Sequence, residues 1–321
     1  MHVGRCPQVP RFDIALIFFF SRRIARELAS HPVRVFSGIY SPLALILHKP
    51  SRGTDIYYCH SPARHVHDLE SYWADQLPKI LRPAFRIYCR FFRWFEGEYV
   101  KKFDAVIANS REVAKRIKDA WDLEAIVIPP PADIASIKHS RACSKSELPY
   151  FVSTARHERY KRVDLIIEAF KGSRFTLKVI SYGSQTKMLQ RLAHGHPNIE
   201  MVGAVSREQL ASIISGCRAT IYIPVREDFG ISVIESLALG RQVIIANSGG
   251  PVENIVQGET GYIIPEPLTA AALREVVEAV AWDECSYFER KCICTSESFS
   301  ETNFTRKISA LIESLQVDNA D

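Results

Sequence analysis

The sequence predicts an α/β protein built from two doubly wound, Rossmann-like domains. Three observations carry this. Short runs rich in Val, Ile, Phe and Tyr alternate with segments of helical periodicity, the pattern of parallel strands covered by helices. The alternation breaks once, in the polar stretch 132–149, and then begins again. The 321 residues, 47% of them hydrophobic, suffice for two ordinary domains with full cores.

In the first half, 12–20 is a buried-strand candidate rich in Ile and Phe, and Ser21 can cap a helix over 22–29. Further strands are expected at 33–38, 55–60, 105–110 and 125–128, the last stopped by Pro129-Pro130-Pro131. Ser110 is placed to cap a helix over 111–118. The second series has strand candidates at 150–154, 176–181, 199–202, 219–223, 242–246 and 261–264, with helices such as 163–170 and 207–215 between them. From Ala270 the tail is helical. The domains expected are therefore 1–145, 146–284 and a helical segment 285–321. Two Rossmann-like domains place a site in the cleft where the carboxyl ends of both sheets meet.

The net charge of +5 favours anionic partners without choosing among nucleic acid, lipid and nucleotide. Eight cysteines are scattered, with no Cys-x-x-Cys and no zinc spacing, so reduced thiols in a cytoplasm are the simplest account. The longest apolar run, 14–20, has seven residues, against the roughly 20 a spanning helix needs. Asp13 before it and Ser21-Arg22-Arg23 after it do not make a signal peptide.

The stretch Glu227-Asp228-Phe229-Gly230-Ile231-Ser232-Val233-Ile234-Glu235 joins the apolar run 219–224 to a short helix that Gly240 can close. One acid falls where the strand ends, the other about one turn inside the helix. The helix N-terminus, with free N–H groups near Gly230 to Ser232, suits a phosphate. A phosphate there has a carboxylate on each side, and carboxylates accept paired hydrogen bonds from sugar hydroxyls. The same residues also fit an ordinary αβ unit with a solvated acid at each end. Arg156 and Lys161, just after the strand 150–154, can hold a diphosphate, or form a solvated basic loop.

Glu-x7-Glu with Phe-Gly after the first acid resembles the signature of retaining, nucleotide-sugar-dependent glycosyltransferases of family 4, which have the GT-B fold. The stretches 236–246, Gly249-Gly250-Pro251-Val252-Glu253 and Gly258-Glu259-Thr260-Gly261-Tyr262 are similar to that family too, as is 298–304. Arg156 and Lys161 match the family's Arg-x4-Lys pair, which binds the donor diphosphate, about 70 residues before Glu227. The resemblance implies that Glu227 holds the donor sugar and the developing charge and that Asp228 and Phe229 belong to the sugar loop. It also implies that Gly230 and Ile231 meet the diphosphate and that Glu235 binds the ribose. No Asp-x-Asp occurs, so transfer without a metal or other cofactor is expected, with fixed cations neutralising the leaving diphosphate.

Tyr57-Tyr58-Cys59-His60-Ser61-Pro62-Ala63-Arg64, with Asp68, resembles the acceptor-side segment of members that transfer mannose. It implies that His60 contacts the donor sugar and that Arg64 and Asp68 position an acceptor. Read alone, His60 is a lone histidine at a strand end. Ser181-Tyr182-Gly183-Ser184 departs from the family's Gly-Gly, leaving Gly183 to allow a close approach. Between Lys79 and Lys102, Leu81, Phe85, Tyr88, Phe92, Phe95 and Tyr99 recur at helical spacing beside Arg82, Arg86, Arg90 and Arg93. This face suits an anionic membrane surface, or packs on the domain core. No nucleic-acid module accompanies it.

The reading is a metal-independent, retaining hexosyltransferase. Its donor is a nucleotide sugar, GDP-mannose ahead of UDP-hexoses, and its acceptor a glycan or lipid-linked saccharide. It is expected in the cytoplasm, with peripheral contact at the inner face of a membrane through 79–102. Family members start with a strand and a Gly-rich loop, which nothing before Phe12 supplies, so the first domain is expected to be short by about 60 residues. An inactive, transferase-like scaffold subunit is the alternative. A nucleotide-sugar epimerase needs an acid/base pair that the sequence does not display.

Overall fold

The computed structural model describes residues 31–39, 53–134, 150–280 and 285–318. The strand expected at 12–20, the helix at 22–29 and most of the stretch 132–149 lie outside them. The chain divides into two compact units, Met1–Ile128 with Ile308–Asp321, and Pro129–Lys307.

In the first unit, β1 (Val33–Ser37), β2 (Thr54–Cys59), β3 (Ala105–Ala108) and β4 (Ile126–Val127) form a parallel sheet in that order. Every residue of β2 is buried, as expected of an inner strand covered on both faces. The helices are α1 (Glu70–Asp75), α2 (Arg82–Val100) and α3 (Arg111–Trp121). Ser110 caps α3 as its position predicts, its hydroxyl accepting from the Val113 N–H at 3.1 Å. The core on one face of the sheet is aromatic. Phe103 stacks on Tyr57 at 5.2 Å and meets Phe36 edge-on at 5.3 Å, with Trp121 closing the cluster.

A charged pair sits inside this unit. Arg34 and Asp55, in neighbouring strands, are both buried, with Arg34 Nε donating to Asp55 Oδ1 at 2.5 Å. The Asp55 N–H donates to Asp104 Oδ2 at 2.7 Å. Gly53 makes room, since a Cβ there lies 2.7 Å from Arg34 Nη1.

Helix α2 corrects one expectation. The aromatic face read from Leu81, Phe85, Tyr88, Phe92, Phe95 and Tyr99 is not one free surface. Cys89, Phe92, Glu96 and Val100 turn inward, and Cys89 and Phe92 pack with Ala63, Val66 and Phe85. Polar anchors fix that orientation. The buried Glu96 carboxylate lies 2.8 Å from His67 Nε2. Arg93 donates to the Val66 carbonyl and to Glu70, while Arg82 pairs with Asp75 at 3.2 Å. Leu81 and Tyr88 remain exposed.

The second unit holds a six-stranded parallel sheet of β5 (Tyr150–Ser153), β6 (Thr176–Ile180), β7 (Ile199–Gly203), β8 (Ala219–Tyr222), β9 (Gln242–Ala246) and β10 (Gly261–Ile264), ordered β10-β9-β8-β5-β6-β7. Its helices are α4 (Val163–Phe170), α5 (Thr186–Ala193), α6 (Arg207–Gly216), α7 (Ile231–Ala238), α8 (Ala270–Ala279), α9 (Cys285–Glu297) and α10 (Glu301–Asp318), the last continuing past Lys307 into the first unit. One apolar core includes residues of β5, β6, β8 and β9 and of α4, α7 and α8. Among the described residues Cys59, Cys89, Cys217, Cys292 and Cys294 are in no disulfide.

Deleting the carboxylate of Asp55 removes an ion-pair partner from a buried guanidinium, which costs about 3–5 kcal/mol. Asp55→Ala is expected to lower the calorimetric unfolding midpoint strongly. Asp75→Ala, which removes an exposed partner of Arg82, is expected to cost less than about 1 kcal/mol.

Candidate active site

The strand order of the second sheet reverses between β5 and β8, which are neighbours with β6 and β7 on one side and β9 and β10 on the other. In an open parallel sheet, ligands bind outside the carboxyl ends of the strands at such a reversal. The loops leaving β5 and β8 meet there, and they carry Arg156, Lys161, Glu227, Asp228 and Gly230.

Lys161 ends a short 3₁₀ turn, Arg159–Lys161, and is buried. Its ammonium donates to Glu227 Oε2 at 2.5 Å and to the Tyr222 hydroxyl at 3.1 Å. The Tyr160 and Tyr222 rings flank it at 5.0 and 5.4 Å, a favourable place for a desolvated cation. Burial, and next the charge of Glu227, push the Tyr222 hydroxyl well above its ordinary pKa, so it stays a neutral hydrogen-bonding group. Ser232, in the first turn of α7, opposes that rise. Arg162, at φ +54°, reaches across the same edge. Its Nε donates to the Ile223 carbonyl at 2.6 Å and its Nη2 to Glu266 Oε1 at 2.7 Å. The Val225 N–H donates to the Tyr160 carbonyl at 2.8 Å.

The main chain of Glu227 is held as firmly as its carboxylate. It bridges Gly249, and its carbonyl accepts from the Gly250 N–H at 2.9 Å. Gly249 has φ +79° and ψ −165°, a region essentially restricted to glycine. A Cβ there lies 2.2 Å from the Glu227 carbonyl oxygen. Gly230 starts α7 at φ +83° against the Pro251 ring. Ser110, Ser206 and Thr269 cap α3, α6 and α8 with their side chains, but α7 has no side-chain cap. Its first-turn N–H groups, next to Glu227 and Lys161, form an electropositive end suited to an anion.

The other expected residues fall as follows. Glu235 lies a turn further along α7, half-buried. Burial raises its carboxyl pKa, with Arg207 opposing and Asp133 adding to the rise. Arg207 and Asp133 pair at 3.1 Å. Asp228 is half-buried and Ile231 exposed. The Phe229 ring is a core residue, edge-on to Phe299 at 5.7 Å, so only its main chain and neighbours border the loop. Arg156 is exposed in the loop after β5. Beside it, Glu158 accepts from the Ser184 N–H and hydroxyl at 3.1 and 2.7 Å, and these bonds hold its carboxyl below the usual range. Gly183 is required by the chain itself, since a Cβ there lies 2.6 Å from the His157 carbonyl.

In the first unit, His60 is exposed at the end of β2. Its Nε2 is 2.9 Å from Ser37 Oγ, its ring stands edge-on to Tyr58, and its carbonyl accepts from Asn109 Nδ2 at 2.9 Å. Arg64 and Asp68 form an ion pair at 3.0 Å. The structure thus unites Lys161, Glu227 and the start of α7, with Arg156 in the adjoining loop, and separately unites Arg64 with Asp68. Sequence reasoning missed the parts played by Tyr222 and Arg162. Among the described residues, no group of three or more His, Cys, Asp or Glu side chains is gathered to hold a metal ion.

A parallel sheet with this reversal and a charged cluster at its carboxyl edge defines a Rossmann-like unit whose edge suits an anionic ligand. Residues 137–293 match the family model described as glycosyl transferases group 1. The alpha-1,3/1,6-mannosyltransferase ALG2 of Homo sapiens is 25% identical over 66% of this chain and 56% of its own length. That of Dictyostelium discoideum is 30% identical over 36% of this chain and 33% of its own length. The chain thus spans about half the length, or less, of these curated relatives. Sucrose-phosphate synthase from Thermosynechococcus elongatus superposes with a TM-score of 0.77 at 17% identity, covering 99% of this chain and 82% of that one. Anabaena Alr3699/HepE in complex with UDP superposes at 0.72 and 14%, covering 92% and 82%. At these identities the likeness shows the fold, which is GT-B.

Gly249 and Gly195 both have positive φ, but nothing lies within 4 Å of a Cβ at Gly195. Gly195→Ala is therefore expected to cost only the roughly 1–2 kcal/mol of a left-handed backbone. Gly249→Ala, which also collides with the Glu227 main chain, is expected to cost clearly more, read as the larger fall in unfolding midpoint.

Proposed function

We propose that this chain is a retaining glycosyltransferase that moves a mannosyl unit from GDP-mannose to a glycan or lipid-linked saccharide, without a metal ion. The observation that carries the reading is the joining of Lys161, Tyr222 and Glu227 beside the uncapped start of α7. This arrangement offers fixed positive charge for a diphosphate and a carboxylate for sugar hydroxyls at one point. The family match and the mannosyltransferase relatives support hexosyl transfer. GDP-mannose is supported by a Dictyostelium discoideum relative named GDP-Man:Man(3)GlcNAc(2)-PP-Dol alpha-1,2-mannosyltransferase, 23% identical over 65% of this chain and 47% of its own length.

In the proposed reaction the bond between the anomeric carbon and the diphosphate oxygen breaks, and its electron pair leaves with the diphosphate. The acceptor oxygen bonds to the anomeric carbon from the same face, and its proton passes to the departing phosphate oxygen. Lys161, Arg156 and the N–H groups of Gly230 and Ile231 stabilise the charge on the leaving group. Glu227, aided by Asp228, holds the sugar hydroxyls and the positive charge that develops on the ring. Glu235 accepts from the ribose hydroxyls. His60, Arg64 and Asp68 are given their donor-sugar and acceptor roles on the sequence resemblance alone. A cytoplasmic location is part of the proposal, supported by the described cysteines outside disulfides.

Calorimetry with GDP-mannose, UDP-glucose and UDP-N-acetylglucosamine in the presence of EDTA tests the donor. GDP-mannose is expected to bind. Binding of a UDP-sugar alone reassigns the donor, and failure of a folded sample to bind any of them overturns the reading. Glu227→Ala is expected to cut transfer about 10²–10³-fold while nucleotide binding persists. Normal turnover in that variant removes Glu227 from the mechanism.

A further inference from the structure

Tyr182 is held out from the carboxyl edge of the second sheet. It comes two residues after the end of β6 and is 70% exposed, more than any other described aromatic side chain. Among the described residues, its phenol makes no hydrogen bond and its ring no aromatic contact. Core packing therefore does not account for the ring.

The main chain around Tyr182 is fixed. Ser181 stands at φ +99°, a region that disfavours a residue with a Cβ and persists only where the surroundings impose it. Its N–H donates to the Gly203 carbonyl at 2.8 Å, at the end of β7. The Tyr182 carbonyl accepts from the His157 N–H at 3.2 Å, in the loop after β5. The Gly183 N–H donates to Thr186 Oγ1 at 2.8 Å, and Ser184 is bound to Glu158. Four described residues other than glycine have positive φ. Asp122 closes α3, whereas Arg162, Ser181 and Arg226 all lie in loops at this one edge. Strain gathered there, and not elsewhere in the unit, marks an edge shaped for a ligand.

The position of the ring along the edge selects the part of the ligand it meets. On one side, His157 and Glu158 directly follow Arg156, the exposed cation assigned to the diphosphate. On the other, the chain runs from Gly203 to Arg207, whose charge acts on Glu235, the acid assigned to the ribose. The order β5-β6-β7 puts Tyr182 between these two loops. A nucleotide with its phosphates at Arg156 and its ribose toward Glu235 carries its base on the side of the sheet to which Tyr182 belongs. Every base has a π-face, and an exposed phenol ring is a complementary surface.

We propose that Tyr182 is a specificity-determining residue that stacks on the base of the donor nucleotide. The clamped loop is in place before the ligand arrives, so little backbone freedom is lost on binding. The phosphates and the sugar are left to Arg156, Lys161 and Glu227. This inference deepens the donor reading given above and rests on it.

The test is calorimetry of the full chain with GDP and with inorganic pyrophosphate, which has the phosphates and no base. The wild type is expected to bind GDP more tightly than pyrophosphate. Tyr182→Ala is expected to weaken GDP binding at least about fivefold and to leave pyrophosphate binding unchanged. Tyr182→Phe, which keeps the π-face, is expected to bind GDP within about twofold of the wild type. With GDP-mannose as donor, Tyr182→Ala is expected to raise KM at unchanged kcat, because the base contact is the same in ground and transition states. The side chain is exposed, so the unfolding midpoint should not move, which separates lost stacking from lost folding. GDP binding unaltered in Tyr182→Ala overturns the proposal and leaves the diphosphate site standing. Equal loss of GDP and pyrophosphate also overturns it, since Tyr182 then acts through the phosphate loop. If the wild type binds UDP and not GDP, the donor is reassigned; a fivefold loss on UDP in Tyr182→Ala then upholds the stacking, and its absence ends it. A folded wild type that binds none of the three overturns this inference and the donor reading together.

Discussion

A buried ammonium cannot stand alone, and much of the carboxyl edge of the second sheet follows from what Lys161 requires. Its charge is compensated by Glu227 and shared with the Tyr222 hydroxyl. An uncompensated charge at that depth costs several kcal/mol. The partner carboxylate therefore has to be at one place, which obliges the main chain of Glu227 to sit against Gly249 and Gly250. The two loops can satisfy one another only because the sheet reverses its order and brings β5 next to β8. Topology, a left-handed Arg162, a glycine in a restricted conformation and one ion pair are thus parts of a single arrangement.

The strands were legible because parallel strands buried on both faces read as apolar runs, as in Val243, Ile244 and Ile245 of β9, all fully buried. The same continuity hid Tyr222. In a strand with no alternation of polar and apolar residues, nothing marks the one whose hydroxyl faces the loop. The first unit concealed its Arg34–Asp55 pair for a related reason, since a charge inside an apolar run reads as a solvent-facing edge until its partner strand is known. Periodicity found helix α2 but not its orientation. Apolar residues occur on more than one of its faces, and the packed face is chosen by Cys89, by a buried Glu96 and by the inward turn of Arg93. Glu227 and Glu235 were visible as a spacing. Their chemical partners depend on the reversal of strand order, which no local pattern encodes.

The helix starts are of two kinds, and α7 shares the lack of a side-chain cap with α1, α2, α4 and α5. Where α3, α6 and α8 begin, a hydroxyl of the chain fills the first-turn donors. Where α7 begins, glycine stands at the cap and the donors have no side chain. Gly230 also lets the loop turn against Pro251, so the same residue sets the direction of the helix and keeps its end uncovered.

The packing of Gly183 bears on where this unit can change length. The loop after β6 and the loop after β5 are laced together by the Gln185 N–H on the His157 carbonyl, by Glu158 on Ser184 and by van der Waals closeness at Gly183. A rim fastened in this way has no slack, so an inserted residue there displaces its neighbour as well as itself. The turns at Gly172 and Gly195, after α4 and α5, have open space around them. A side chain added at either glycine, at the edge of the sheet opposite the site, meets no neighbour and leaves the rim undisturbed.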